Sequence, residues 1–99
     1  MKGATNTVSV YSVTHDAKGN RFESIVDGES AILLYQQSPG SITFVSTRVP
    51  PAIEGRGVGS TLARAGLEYA REHSLTVVPQ CPFVRAYIEQ HPEYKSLLG

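Results

Sequence analysis

Between Pro50 and Leu62 the chain changes its hydrophobic period, and it does so across three glycines in five residues, Gly55, Gly57 and Gly59. The stretch reads "VPPAIEGRGVGSTLARAGLEYAREH" (Val49–His73). Upstream the apolar residues alternate, as Ile42 and Phe44 do in "SITFVSTRV", which is the period of a strand with one buried face. Downstream, at about 100° per residue, Val58, Leu62, Ala65, Gly66, Tyr69 and Ala70 share one side of a helix expected from Val58 to His73. Thr61, Arg64, Glu68, Arg71 and Glu72 gather on the other side, with Arg64 and Glu68 spaced for an i,i+4 ion pair. Glycine inside regular structure costs about 0.5–1 kcal/mol relative to alanine. Three at one strand–helix junction therefore imply a backbone that must turn sharply or stay bare.

The remaining pattern limits the architecture. Four stretches read as strands: "TVSVYSV" (Thr7–Val13), "RFESIVD" (Arg21–Asp27), "ESAILLYQQ" (Glu29–Gln37) and "SITFVSTRV" (Ser41–Val49). A turn at His15–Asn20, the hairpin signal Asp27-Gly28 and the turn "SPG" at Ser38–Gly40 join them as a meander. After the helix, "SLTVVPQ" (Ser74–Gln80) is a short strand, and "PFVRAYIEQH" (Pro82–His91) is a second helix with Pro82 in its first turn. Strand, helix, strand in that order requires a crossover, so the fourth and fifth strands are expected to lie parallel. The expected fold is α/β: a mostly antiparallel sheet of about five strands with one parallel pair, and two helices, in a single domain over residues 1–99.

Composition narrows the function. Nine basic and nine acidic side chains cancel, with no basic stripe to neutralise a phosphate backbone, so nucleic acid is not an expected partner. "MKGATNTVSV" has no apolar run behind its lysine and does not read as a signal peptide. The early apolar run Ala31–Leu34 is far too short to span a bilayer, so no membrane role is expected. The lone cysteine, Cys81, forms no intrachain disulfide, which suits a reducing, cytoplasmic setting. No His, Cys and carboxylate cluster has ligand spacing, so no metal is expected.

A helix that follows a strand through bare glycines presents free N–H groups and a positive dipole end, which together favour an anion. Gly55, Gly57 and Gly59 would let phosphate oxygens approach the backbone, and Ser60 adds a hydroxyl. A P-loop needs a lysine before Ser60-Thr61, where Gly59 stands. A dinucleotide fingerprint needs glycine where Ser60 stands and a larger α/β unit around it. Neither fits, and a plain tight turn is the remaining alternative.

The segment from Arg48 to Tyr94, with "EGRGVG" and "VPQCPFVRAYIEQHPEY" at their spacing, resembles the short members of the GCN5-related N-acetyltransferase family, and weaker similarity extends back through "NRFESIVDGESAILLYQQ". The resemblance implies acetyl-CoA as co-substrate and an amine acceptor, which is either a small molecule or a protein. It implies that the amides of Gly55, Arg56, Gly57, Val58, Gly59 and Ser60 hold the diphosphate of coenzyme A. It also implies that the strand backbone at Thr47, Arg48 and Val49 pairs with the pantetheine arm, with an amide near Val49 polarising the thioester.

Two positions depart from the family pattern. Glu54 occupies the loop's first position, where it would repel a diphosphate unless it points away, and Arg56 offers local compensation. Ser46 stands where the short family commonly has a histidine, and a hydroxyl is no general base near neutral pH.

Cys81 is the first side-chain candidate for catalysis, as proton relay or nucleophile, against the reading of a small buried hydrophobe. Tyr87 stands where many members carry a tyrosine that protonates the thiolate, against core packing on Phe83. His15, His73 and His91 read as turn or helix-end residues, and Tyr35, Tyr69 and Tyr94 as core or edge. The competing reading is a binding module that holds coenzyme A or docks a partner without transfer; a structural protein with an unused loop is a third. The acceptor and the oligomeric state are left open.

Overall fold

In the computed structural model, which describes residues 11–99, the alternating stretches pair into one five-stranded sheet in sequence order. β1 (Thr14–Asp16), β2 (Arg21–Val26), β3 (Glu29–Ser38) and β4 (Ser41–Arg48) form an antiparallel meander. β5 (Thr76–Pro79) lies parallel to β4, because α1 (Val58–Glu72) carries the chain back between them. α2 (Pro82–Gln90) follows, and 3-10 turns at Pro51–Ile53 and Pro92–Leu97 complete the chain. This is the expected α/β arrangement. Asp27 and Gly28 both take positive φ, 52° and 78°, as a two-residue hairpin requires.

The beginning of the sheet differs from expectation. Most of the strand expected over Thr7–Val13 lies outside the described residues, and Tyr11–Val13 are not in a strand. The first strand is Thr14–Asp16, part of the stretch that reads as a turn. It forms because His15 pairs with Phe22 and stacks on its ring at 4.3 Å and 11°. The turn is confined to the residues after it, where the Gly19 amide donates to Asp16 Oδ1 at 3.0 Å and Asn20 takes φ 53°.

One face of the sheet carries the core. Phe22, Val26, Ala31, Leu33, Ile42 and Phe44 are buried there with Leu62 and Leu67 of α1. α1 sits so close that a Cβ on Gly66 would lie 2.7 Å from Phe44 Cε1 and 3.0 Å from Leu33 Cδ2. Its buried face also includes Ala63 and Leu67, because α1 packs on α2 as well as on the sheet. The opposite sheet face leaves Ile25, Val45 and Val78 exposed.

The feature that positions the site is where β4 leaves β5. Their last paired residues are Phe44 and Pro79, and the Cys81 amide still donates to the Phe44 carbonyl at 2.8 Å. There β4 bulges: its register against β3 passes from Tyr35–Phe44 to Leu34–Ser46, so Val45 has no partner. β4 then continues along β3 to Arg48 with no strand on its other edge among the described residues. The two parallel strands open into a wedge.

Candidate functional site

The loop after β4 delivers α1 with a bare end. Gly55 and Gly57 sit at φ 78° and 83°, the left-handed region in which a Cβ is strained. A Cβ on either would meet nothing within 4 Å, so these glycines serve backbone handedness in an open setting. Gly59 serves packing: a Cβ there would lie 2.9 Å from Phe83 Cζ of α2.

No side chain caps α1, and no acidic residue lies in its first turn. The first bonded amide is that of Thr61, which donates to the Gly57 carbonyl at 3.1 Å, and Thr61 Oγ1 donates to the same oxygen. Among the described residues nothing accepts from the amides of Val58, Gly59 and Ser60. Three donors and the positive end of a four-turn dipole therefore face one point, where an anion is stabilised.

A groove of about 930 Å³ runs from this point along β4 toward the wedge. Every residue expected around the coenzyme lines it except Arg56. The Arg56 guanidinium instead pairs with Asp27 of the β2–β3 hairpin at 2.8 Å, and its carbonyl accepts from Tyr11 Oη. Arg56 thus ties the loop to the hairpin and does not offset Glu54. Glu54 lines the groove but is solvent-exposed, where its charge is screened. The other wall is apolar, with Ile32, Ile53 and Phe83.

At the wedge, Cys81 Sγ lies 3.2 Å from Oγ1 of Thr47, itself a wall of the groove. The thiol is only 2% exposed and has no histidine partner. Ser46 Oγ is buried with no hydrogen-bond partner, an orphan of the kind that a bound group can satisfy. Thr47 pairs with buried Leu33, whereas Ser46 pairs with Leu34, so register sets Ser46 on the opposite face of the sheet from Thr47 and its Cys81 contact. The structure does not bring Ser46 and Cys81 side by side.

Tyr87 belongs elsewhere. It lines a second cleft of about 650 Å³ between α1 and α2, which meets the groove at Gly57 and Ser60. Its ring stacks on His91 at 3.9 Å and 16°, not on Phe83, which covers Gly59. Burial holds its phenol above the usual range, so it stays protonated at neutral pH.

No histidine lines the groove. His73 and His91 sit at the ends of α1 and α2, each with Nδ1 2.9 Å from the carbonyl four residues earlier. A carbonyl only accepts, so those nitrogens carry the proton. His15 is not a free turn residue: its Nε2 lies 2.6 Å from Tyr35 Oη, in a cluster with Phe22 and Tyr69.

The expected Arg64–Glu68 pair is replaced. Glu68 pairs with Arg71 and accepts from Tyr94 Oη at 2.6 Å, and these bonds hold its carboxyl below the usual range. Sequence spacing missed this because Tyr94 arrives from 26 residues away.

A model of the GCN5-related N-acetyl-transferase family matches residues 21–97. The chain belongs to that family. The chain is similar to Protein NATD1 of Gallus gallus, 32% identical over 83 residues, covering 81% of this chain and 76% of that one. Protein NATD1 of Xenopus tropicalis matches at 30% over 83 residues with the same coverage, and that of Homo sapiens at 31%, covering 74% of its length. Members of the family generally bind acetyl-CoA and act on amine acceptors. The residues present suit that co-substrate, since the uncapped amides and open glycine loop accept a diphosphate and the groove beyond takes an extended arm. Among the described residues no His, Cys, Asp and Glu group could hold a metal, and no helix is long and apolar enough to cross a membrane.

Proposed function

We propose that this domain transfers acetyl from acetyl-CoA to an amine by direct attack. The observation that carries the reading is the set of three unpartnered amides, Val58, Gly59 and Ser60, at the head of a groove that runs along β4 as far as Thr47, the residue in contact with Cys81. Acetyl-CoA, when bound, supplies an activated acetyl thioester.

The protein's own groups do the rest. The Val58–Ser60 amides hold the diphosphate. The open edge of β4 at Thr47, Arg48 and Val49 takes the pantetheine arm as an added strand, and a β4 amide near Val49 donates to the thioester oxygen. The Cys81 thiol, in contact with Thr47, gives its proton to the departing thiolate, and the proton that the attacking amine releases passes through water back to the Cys81 sulfur. We assign this step to Cys81 and not to Tyr87, which opens on the adjoining cleft. A small-molecule or protein amine in a reducing, cytoplasmic compartment is the acceptor class that fits.

Isothermal titration tests the reading: acetyl-CoA should bind the wild type in the micromolar range, and Gly57→Val should abolish the signal. Absence of heat and of thermal protection with the wild type would overturn it. Free-thiol release with a panel of polyamines, small amines and lysine peptides then tests transfer. Cys81→Ala should lower kcat on the order of tenfold or more with an unchanged acetyl-CoA affinity.

The absence of a histidine from the groove, with Ser46 at the wedge, favours a second reading, in which the chain holds coenzyme A without transferring the acetyl group. Tight binding with no thiol release against every amine would select it.

A further inference from the structure

A sheet with one face on a core and the other in water carries polar side chains on its wet face. This sheet departs from that pattern. Opposite α1, Ile25, Val45 and Val78 are exposed, and Ile32 and Leu34 of β3 are half-buried. Together they reach from β2 to β5, an apolar patch of the kind that marks a contact surface. Register sets charges on the same face. Ile32 pairs with Glu23 of β2 on one side and with Arg48 of β4 on the other, so one row across the strands reads Glu23, Ile32, Arg48. Their strand neighbours Phe22 and Leu33 are buried in the core, which turns this row outward. Glu23 accepts from the Ser30 hydroxyl, and neither Glu23 nor Arg48 makes an ion pair among the described residues. The next outward row reads Arg21, Leu34, Ser46.

We propose that this face is the contact between two copies of this chain, stacked sheet on sheet about a two-fold axis that runs along β3. That axis lays Ile32 on Ile32 and Leu34 on Leu34. It also sets Glu23 of each copy against Arg48 of the other, so a single operation makes two equal ion pairs. In the next row it sets Arg21 against the small, uncharged Ser46. A two-fold axis across the strands would instead set Glu23 on Glu23 and Arg48 on Arg48, which like charges oppose. The charge layout thus selects a second copy as the occupant and fixes its orientation. The two β3 strands then run nearly aligned, one of the two ways in which sheets pack face to face. A net charge of zero leaves no overall repulsion between copies. The interface stands on the sheet face and not on the acetyl-CoA reading. Ile32 and Arg48 also line the groove, so the second copy forms part of its outer wall.

The experiment is sedimentation equilibrium of the full chain without ligand, for the wild type, Glu23→Arg, Arg48→Glu and the double variant. At about 0.1 mM the wild type should sediment at twice the 10.7 kDa chain mass. Each single reversal turns both ion pairs into repulsions and should weaken dimerisation on the order of tenfold or more. The double variant exchanges the charges and should restore the dimer, which a merely local disturbance at either residue would not do. A monomeric wild type at that concentration would overturn the proposal and leave the face to another partner or to the chain's own residues. A dimer that neither reversal weakens, or a folded double variant that stays monomeric, would overturn it too. Where a variant does not fold, an equal mixture of isotope-labelled and unlabelled wild type decides. Filtered NOEs should connect the Ile32 and Leu34 methyls of one copy to those of the other, and a dimer without them has its interface elsewhere.

Discussion

At its N-terminus α1 leaves three amides without acceptors among the described residues and no side chain over them, whereas about 22 Å away the groups at its C-terminus find partners within the protein. There Leu75 and His73 donate to Ala70 and Tyr69, Ser74 takes φ 55° to turn the chain, and the Tyr69 ring lies against His73 at 4.3 Å. Tyr69 Oη reaches Gln37 of β3, and His15 and Tyr35 complete the cluster. One helix thus has an end finished by the protein and an end left for something else. Unpaired donors are tolerated where solvent or a ligand reaches them and are costly where neither does. The open end lies in a groove, and the closed end lies against the sheet.

The contrast predicts different responses to substitution. The largest effect is expected at the middle of the helix, where Gly66→Val drives methyl groups into Phe44 and Leu33 and should cost about 3 kcal/mol of stability, with no specific effect on ligand affinity once folded. A denaturant midpoint within error of wild type would show that α1 sits less tightly on the sheet than described.

At the open end, Gly57→Ala should cost only about 1–2 kcal/mol, for the left-handed backbone, yet lose acetyl-CoA protection in a thermal shift. If it keeps protection, the loop is not the anion site.

Toward the closed end, Tyr94→Phe removes the bond to Glu68 and should cost about 1 kcal/mol, because the carboxylate is part-exposed. The linkage has a sign at each limb. Glu68 is held below its usual range, so its contribution is present above pH about 4.5 and is lost as pH falls. Tyr94 is pushed up to about 12, so its contribution is present below pH about 10 and is lost as pH rises toward 12. Urea titrations across pH should show both slopes flattened in the variant.

His15 is held below its ordinary range, chiefly by burial, with Asp16 opposing and His73 adding to it. The folded state therefore favours the neutral imidazole, and stability present above pH about 6.5 should fall as pH drops below it. His15→Phe should lose that slope; an unchanged slope would place the titrating group elsewhere. The smallest expected effect is at Glu54, where Glu54→Gln should tighten acetyl-CoA binding about two- to fivefold at low salt and not at all in high salt.

Much of the fold was legible because period is a local property. Two-residue alternation marked β4, the Asp27-Gly28 and Ser38–Gly40 turns bounded β2 and β3, the 3.6-residue pattern marked α1 to within one residue of its end, and strand–helix–strand order implied the parallel pair. Asp27-Gly28 and the glycine cluster were readable for the same reason, since positive φ is a demand on one residue at a time. The first strand was not legible, because three residues of "THD" carry no alternation and owe their pairing to a ring stack with Phe22.

What only tertiary structure decided are the meetings of residues distant in the chain. Arg56 finds Asp27 across 29 positions, Cys81 finds Thr47 across 34, and Tyr94 takes Glu68 from Arg64 across 26. The bulge at Val45 breaks the alternation along β4, and register against β3 then sets Ser46 and Thr47 on opposite faces, so neighbours in sequence serve different sides of the sheet. Sequence by itself determined that a helix would begin bare after a strand. Packing decided what that bare end faces, because backbone preference acts within a few residues while burial, charge and hydrogen bonding are settled between whole elements.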